Sequence, residues 1–485
     1  NNAAFGMSAL QAFTGSNATA VGSGAADVAV GNTNITAVGK AALGAATSGN
    51  DNTAVGASAL GGTVDGNYNT VVGESALSAD CVDHNVAMGH DALFYFTGSG
   101  ATAIGSAAAD AAVAQTNLTA VGYQALGAAS SGNHNTAVGV SSLQTVDGES
   151  NTAVGSSALN ADCASNNVGL GFEALKVFTG SNATVVGASA ADAAGTNGSI
   201  TAVGYSALGV ATSGNDNTAV GARSLQTVDG TQNTAVGSSA LNADCVSNNT
   251  GLGYNALAVF TGSDATAIGS SAASAATSAT SLTAVGYSAA AAITDGAQNT
   301  AVGAFSLRFC TGGDYNTGVG VYAGYQTTGN RNTFIGNDAA TFATSVDDCI
   351  AIGYRALKAA DSAGDNSDNA TGNWNIAAGN YTLDATTTGN KNVGIGFSAL
   401  STVTDAVGNV AIGHEALVSE DSAGGCVAVG FSALKVQNTN NSNNVAIGYN
   451  AAVALTSGTD SVYVGYSAGG VGAITGNNNV CVGKS

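Results

Sequence analysis

Residues 52–60 read NTAVGASAL, and near-copies recur to both ends of the chain: NTAVGSSAL at 151–159, NVGIGFSAL at 392–400 and NVAIGYNAA at 444–452. With Gly56 as the register mark, the equivalent glycine occurs 29 times, from Gly6 to Gly483. Its spacing is 16, 17 or 18 residues, except for a step of 26 from Gly353 to Gly379. A short period held over a whole chain means a solenoid, in which each unit buries its apolar face against its neighbours. A longer period lies on top: FTGSNATAVG at 13–22 returns near Phe96, Phe178 and Phe260, as expected from duplication of an 82-residue block.

The columns of this array define the rung. The residue before the glycine is Val, Ile, Leu, Met or Phe in 28 of 29 units. Two before it stands mostly Ala or Gly. Three before it stands Thr in 18 units and Val or Ile in ten, all of them Val or Ile from Ile350 onward. That alternation predicts a short strand. Four residues after the glycine, Leu fills 19 of 28 positions. The pattern predicts one strand ending at Val55, a turn at Gly56, a second strand carrying Leu60, then a polar loop. The branched aliphatic side chains are expected inside. Asn52 begins a further column, four before the glycine, filled by Asn in 18 units; stacked amides there are expected to bond to one another along the array. Asn52, Thr53, Val55, Gly56 and Leu60 are thus the structural ladder of the repeat.

The fold expected is all-β: a parallel β-roll solenoid of about 29 rungs. Regular repeats cover residues 1–353, a rung with a loop insertion covers 354–378, and repeats continue over 379–485. Rungs ~4.8 Å apart would make a rod of ~140 Å. So thin a roll exposes much apolar surface, which predicts side-by-side association of several copies. Asn1 and Ser485 both fall inside a repeat, so the chain reads as a segment of something longer.

Composition narrows the function. Charged residues are 8%, hydrophobic residues 45%, glycines 69 and prolines none among 485 residues. Disordered chains pair low hydrophobicity with high charge, so disorder does not fit. The net charge of −21 argues against nucleic acid or an anionic membrane surface as partner. No apolar run is long enough to span a membrane, and no signal peptide opens the chain. The seven cysteines include Cys81, Cys163 and Cys245 in equivalent loops five rungs apart. At ~24 Å these three cannot pair within one chain, which leaves free thiols or bonds between chains.

The motif NVAIG at 444–448, with NVAMG at 85–89 and the many NTAVG copies, resembles the head repeat of trimeric autotransporter adhesins. The 17-residue form, with TTGN loops at 327–330 and 387–390, is also similar to arrays in tail-fibre proteins of bacteriophages and other large viruses. The resemblance implies a left-handed β-roll with three chains around one axis. The rung is longer than in the adhesin heads, and stalk heptads and a membrane anchor are not present in this sequence.

No catalytic constellation stands out, and the chain is read as not being an enzyme. His84, His90, His134 and His414 are scattered without metal-ligand spacing. No loop interrupts the array with the carboxylate and basic cluster that a polysaccharide lyase on a parallel β-helix would carry, and no cofactor is implied. Asp361, Asp365 and Asp368 in the insertion are the one candidate for Ca²⁺, which takes oxygen ligands; a solvated loop is the plainer reading. The slot after the glycine carries Tyr123, Phe172, Tyr205, Tyr254, Tyr287, Tyr354, Phe397, Phe431, Tyr449 and Tyr466. Exposed rings there would stack on sugars or protein partners; buried ones would pack on a neighbouring rung or chain.

These readings converge on a structural and adhesive fibre. It would be a homotrimeric rod outside a cell or on a virion, attaching to an unidentified receptor that is a carbohydrate or a surface protein. The alternatives are a bacterial trimeric adhesin head or self-assembling extracellular filament, and, from the Thr column, an ice-binding face.

Overall fold

The computed structural model describes residues 1–62, 65–359, 371–419, 424–436, 443–470 and 472–484. The chain forms two compact units, Asn1–Ser238 and Ser239–Ser485. Each is an all-β parallel solenoid, and the described residues contain no helix. Every glycine-marked rung contributes one three-residue strand. In the first unit these run from β1 (Ala3–Phe5) to β15 (Thr234–Val236), and in the second from β16 (Thr250–Leu252) to β29 (Val480–Val482). Within each unit every strand pairs in parallel with the next in sequence. For β4 (Thr53–Val55) and β5 (Thr70–Val72) the register is Thr53 on Thr70, Ala54 on Val71 and Val55 on Val72. The long step between glycines leaves this ladder intact: β22 (Ile350–Ile352) pairs residue for residue with β23 (Ile376–Ala378).

Two expectations about the rung are corrected. First, the strand points its middle residue inward, not its branched ones. Ala54 is fully buried and Val55 only partly, while Val72, Met88, Ile104 and Val154 are 36–41% exposed. The interior is narrow and mostly leaves room for one bulky side chain per rung, Val71 with the buried Leu77 being an exception. It therefore takes Ala from the strand and Leu60 from the opposite wall, and both are fully buried. Volume is conserved where the pattern changes. Phe334 fills the Ala position and faces Gly324, where a Cβ would come within 2.7 Å of the ring. Tyr463 faces Gly469 in the same way, where a Cβ would come within 2.9 Å of the ring. Such swaps keep a core dense without strain.

Second, the segment carrying Leu60 is not a strand. Ser58 and Leu60 have φ of 54° and 51°, and the same two slots are left-handed in rung after rung. Alternate left-handed residues curl the chain too tightly for a strand, yet its amides still bond to adjacent rungs. The Leu60 N–H donates to the Ala76 carbonyl at 3.0 Å, and the Ser75 N–H to the Ala57 carbonyl at 2.9 Å. A left-handed Leu costs ~1 kcal/mol, which burial of its side chain, worth ~2 kcal/mol, outweighs. Gly56, at φ 139°, has no such latitude: a Cβ there would sit 2.4 Å from the Gly73 carbonyl oxygen.

The Asn column is buried, but its bonds differ from the amide-to-amide ladder expected. Asn52 Oδ1 accepts the Asn69 backbone N–H at 2.9 Å, and its Nδ2 donates to the Gly66 carbonyl at 2.8 Å. Each side chain thus ties its rung to the backbone of the next. Side chain-to-side chain bonding appears at Asn332 Nδ2, which donates to Asn316 Oδ1 at 2.9 Å. Cys349 and Ser461 stand in for Asn and still accept the next rung's amide, from Asn375 at 3.4 Å and Asn479 at 2.9 Å. A second ladder, two residues earlier, runs in the opposite sense. There the Thr33 N–H donates to Asn50 Oδ1 and the Asn50 N–H to Asn67 Oδ1, each at 2.8 Å, and the Asn67 N–H to Asp83 Oδ1 at 2.6 Å. Loop backbones that a strand would have satisfied are paired this way.

Candidate binding surface

Inverting the strand sets the chemistry of the surface. The residues on either side of the buried Ala form the outer face of the sheet. In the first unit that face alternates Thr and aliphatic columns. From Ile350 onward both columns are aliphatic, and Ile352, Ile395, Ile412 and Ile447 are 38–42% exposed. Contiguous apolar surface of this kind marks an interaction site when it continues beyond scattered single residues.

The aromatic slot after the glycine lies beside this face, and its rings are found in two arrangements. Tyr123, Phe172 and Tyr205 are each more than half exposed, and the slots above and below them hold Ser106, Val140, Ser156, Ala188 and Ala222. Tyr254 and Tyr287 are similarly exposed, and Tyr287 meets Phe305 edge-on with centroids 5.1 Å apart. Towards the other end of the second unit the rings meet one another. Tyr354 and Tyr381 pack edge to face at 5.3 Å, and Tyr381 meets Phe397 at 5.8 Å. Phe397, His414, Phe431, Tyr449 and Tyr466 then stack, with centroids 5.0–5.2 Å apart and planes within 19°. Lys484 Nζ lies 5.6 Å from the Tyr466 centroid. In a stack each ring face is covered by its neighbour, so this ladder offers edges and not the flat platform that sugar stacking needs. The open faces belong to the isolated rings.

Other side chains singled out by sequence fall in different places. His84 stacks on Tyr68 at 5.1 Å, and His90 Nδ1 lies 3.0 Å from an Asp91 carboxylate oxygen. Among the described residues no group of three His, Cys, Asp or Glu side chains could hold a metal ion. Asp361, Asp365 and Asp368 lie outside the described residues. Cys81, Cys163 and Cys245 are free thiols 2% exposed, and burial pushes them up to about 12, 11 and 12. They face their own coil, which removes the interchain bonds left open by their spacing. The carboxylates of the polar loops are stabilised in place. Hydroxyl donors Thr47 and Ser48 hold Asp65 below the usual range. Burial raises Asp147 and Asp229, but the donors of Ser131 and Ser130, and of Ser213 and Thr212, outweigh it.

No protein-family profile and no curated protein matches the chain.

Proposed function

We propose that the protein is the repetitive part of an attachment fibre, displayed outside a cell or on a virion. In this reading three copies associate through their aliphatic sheet faces and hold a binding surface away from its base. The observation that carries it is the outer face from Ile350 onward, where two columns of Val and Ile, broken at Ala378, are partly exposed to water although the coil has a complete core without them. The sequence resemblance to trimeric adhesin heads and viral tail fibres points the same way, and the virion fibre is the preferred of the two. With a net charge of −21 on each copy, electrostatics oppose association. The driving force must be apolar burial, so association should strengthen as salt screens the repulsion.

Sedimentation equilibrium of the 46.4 kDa chain tests this. The expected mass is three times that of one chain. A variant carrying Ile395→Asp, Ile412→Asp and Ile447→Asp should keep its circular dichroism and fall to one chain. Wild-type protein that remains a monomer at every salt concentration would refute the reading.

A further inference from the structure

One stretch of the second unit departs from its own columns. Two residues past each marking glycine from Gly6 to Gly465 the backbone is left-handed, and the slot mostly holds Ser, Ala, Asn or a charged residue. After Gly303, Gly320 and Gly379 it holds Phe305, Tyr322 and Tyr381 instead, at φ 59°, 57° and 59°. Bulky rings are disfavoured in that region. The left-handed Leu column is compensated by complete burial, but Tyr322 is only half-buried. Tyr68, Tyr315 and Trp374 are left-handed and exposed as well, so a role of Tyr322 beyond packing comes from what surrounds it.

The surroundings of Tyr322 indicate what that role is. Phe305 covers one face of the ring, with centroids 5.0 Å apart and planes 9° from parallel. Tyr325 meets the same ring edge-on at 5.3 Å, and its hydroxyl lies 3.5 Å from Arg308 Nη1. On the other side the next rung puts Asp338 in the column, so the aromatic stack stops there. A groove of about 250 Å³ opens at that point, lined by Tyr322, Tyr325, Asp338, Thr341, Phe342 and Lys358. Lys358 Nζ stands 5.6 Å from the Phe342 centroid. An aromatic ring, a carboxylate, an ammonium group and hydroxyl-bearing Tyr325 and Thr341 thus line one small space, the Thr341 hydroxyl lying 3.5 Å from the Tyr322 carbonyl. That mix of an apolar wall and a few placed polar groups is the composition of a ligand site, and the volume lies just below the ~300 Å³ at which drug-sized pockets begin.

We propose that this groove binds one neutral pyranose ring. The C–H face of the sugar lies on the open face of Tyr322. Asp338 accepts hydrogen bonds from ring hydroxyls, and Lys358 donates to a ring or hydroxyl oxygen. Asp338 and the acidic balance of the chain disfavour an anionic sugar. The proposal rests on the attachment reading and names the class of receptor for it.

Saturation-transfer NMR on the full chain, with millimolar methyl glucoside, methyl galactoside and methyl mannoside, and glucuronate as the charged comparison, tests it. At least one neutral glycoside should receive saturation on its ring protons, and glucuronate less. Tyr322→Asn removes the ring while suiting the left-handed backbone, so it should weaken binding about tenfold with no loss of exchange protection. Asp338→Ala, a residue that the slot already accepts at Ala41 and Ala107, should weaken it likewise. No transfer to any neutral glycoside would overturn the proposal. So would transfer that survives both substitutions, or a loss of hydrogen-exchange protection in the rungs around Tyr322→Asn that marks the ring as structural. Sedimentation of the same samples separates the two readings: a trimer without glycoside binding sinks the groove alone, and a monomer that binds glycoside sinks the fibre alone.

Discussion

Replacing Asn135 by Ala removes one tie between consecutive rungs and leaves the rest of the coil in place. Asn135 is fully buried. Its Oδ1 accepts the Asn151 N–H at 2.9 Å, and its Nδ2 donates to the Gly148 carbonyl at 2.8 Å and the Gly132 carbonyl at 3.2 Å. Alanine strands the Asn151 amide and the Gly148 carbonyl in a dry interior, at about 1–2 kcal/mol each, or about 3 kcal/mol together. A long solenoid does not unfold as one cooperative unit, so a global melt would dilute the effect. Hydrogen exchange at the Asn151 amide reads it locally: about 3 kcal/mol corresponds to roughly 100-fold faster exchange. Asn135→Ser is the sharper control. Ser461 shows that a hydroxyl in this column can accept the next rung's amide at 2.9 Å. The Ser variant should therefore recover the acceptor, lose the donor, and exchange only about tenfold faster. Exchange at Asn151 that stays within twofold of wild type in the Ala variant would refute the reasoning, as would equal damage from Ser and Ala.

Three further outcomes follow from the same geometry. Gly56→Ala forces a Cβ to 2.4 Å from the Gly73 oxygen and should cost about 3 kcal/mol or more, read as local loss of exchange protection. Gly31→Ala, where nothing lies within 4 Å, should cost only about 1 kcal/mol for its φ of 81°. Asp65, Asp147, Asp229, Asp348 and Glu415 all have carboxyls held below their ordinary values of 3.8 or 4.5. Groups lowered on folding stabilise the protein above their unfolded pKa, and that stability is lost as pH falls through the folded value. Melting temperature should therefore be flat at neutral pH and drop below about pH 4, offset in part by Asp110, Asp192 and Asp384, whose carboxyls burial raises. Cys81, Cys163 and Cys245, buried and pushed up to about 12, 11 and 12, should resist iodoacetamide in the native protein and react once guanidinium unfolds it.

The period, the position of every strand and the buried Leu column were legible in the sequence because each repeats in register with one glycine. Which strand face turns inward was not. In Thr53–Ala54–Val55 the larger apolar residues flank a small one, and the rule that places bulk inside holds only where the interior has room for it. Here the partner wall supplies Leu60, so Ala54 is what fits. The curl after Gly56 was equally hidden, since Ser58 and Leu60 carry no Gly or Asn signal for a left-handed backbone. The Asn column was recognised, but its bonding was not: whether an amide meets an amide or the next backbone depends on rung geometry. At the surface, the aromatic slot was legible as a column, whereas the mutual stacking of Phe397, His414 and Phe431 emerges only when rungs are set one strand apart. Phe305, Tyr322 and Tyr325 lie in other columns. Their signal was the departure of Phe305 and Tyr322 from a slot that most often holds Ser.

Successive glycine-marked turns lie one strand spacing apart, in register. Pulsed electron spin resonance on the first unit tests it directly. Nitroxide labels would be placed at Tyr123→Cys with Tyr205→Cys, and at Tyr123→Cys with Ala222→Cys, diluted into unlabelled protein; Cys481, the one native thiol that is not buried, would be replaced by Ser. Stacked rungs should give narrow distance distributions centred near ~24 Å for the five-rung pair and ~29 Å for the six-rung pair. Broad distributions, or a sixth rung that adds no distance, would contradict it.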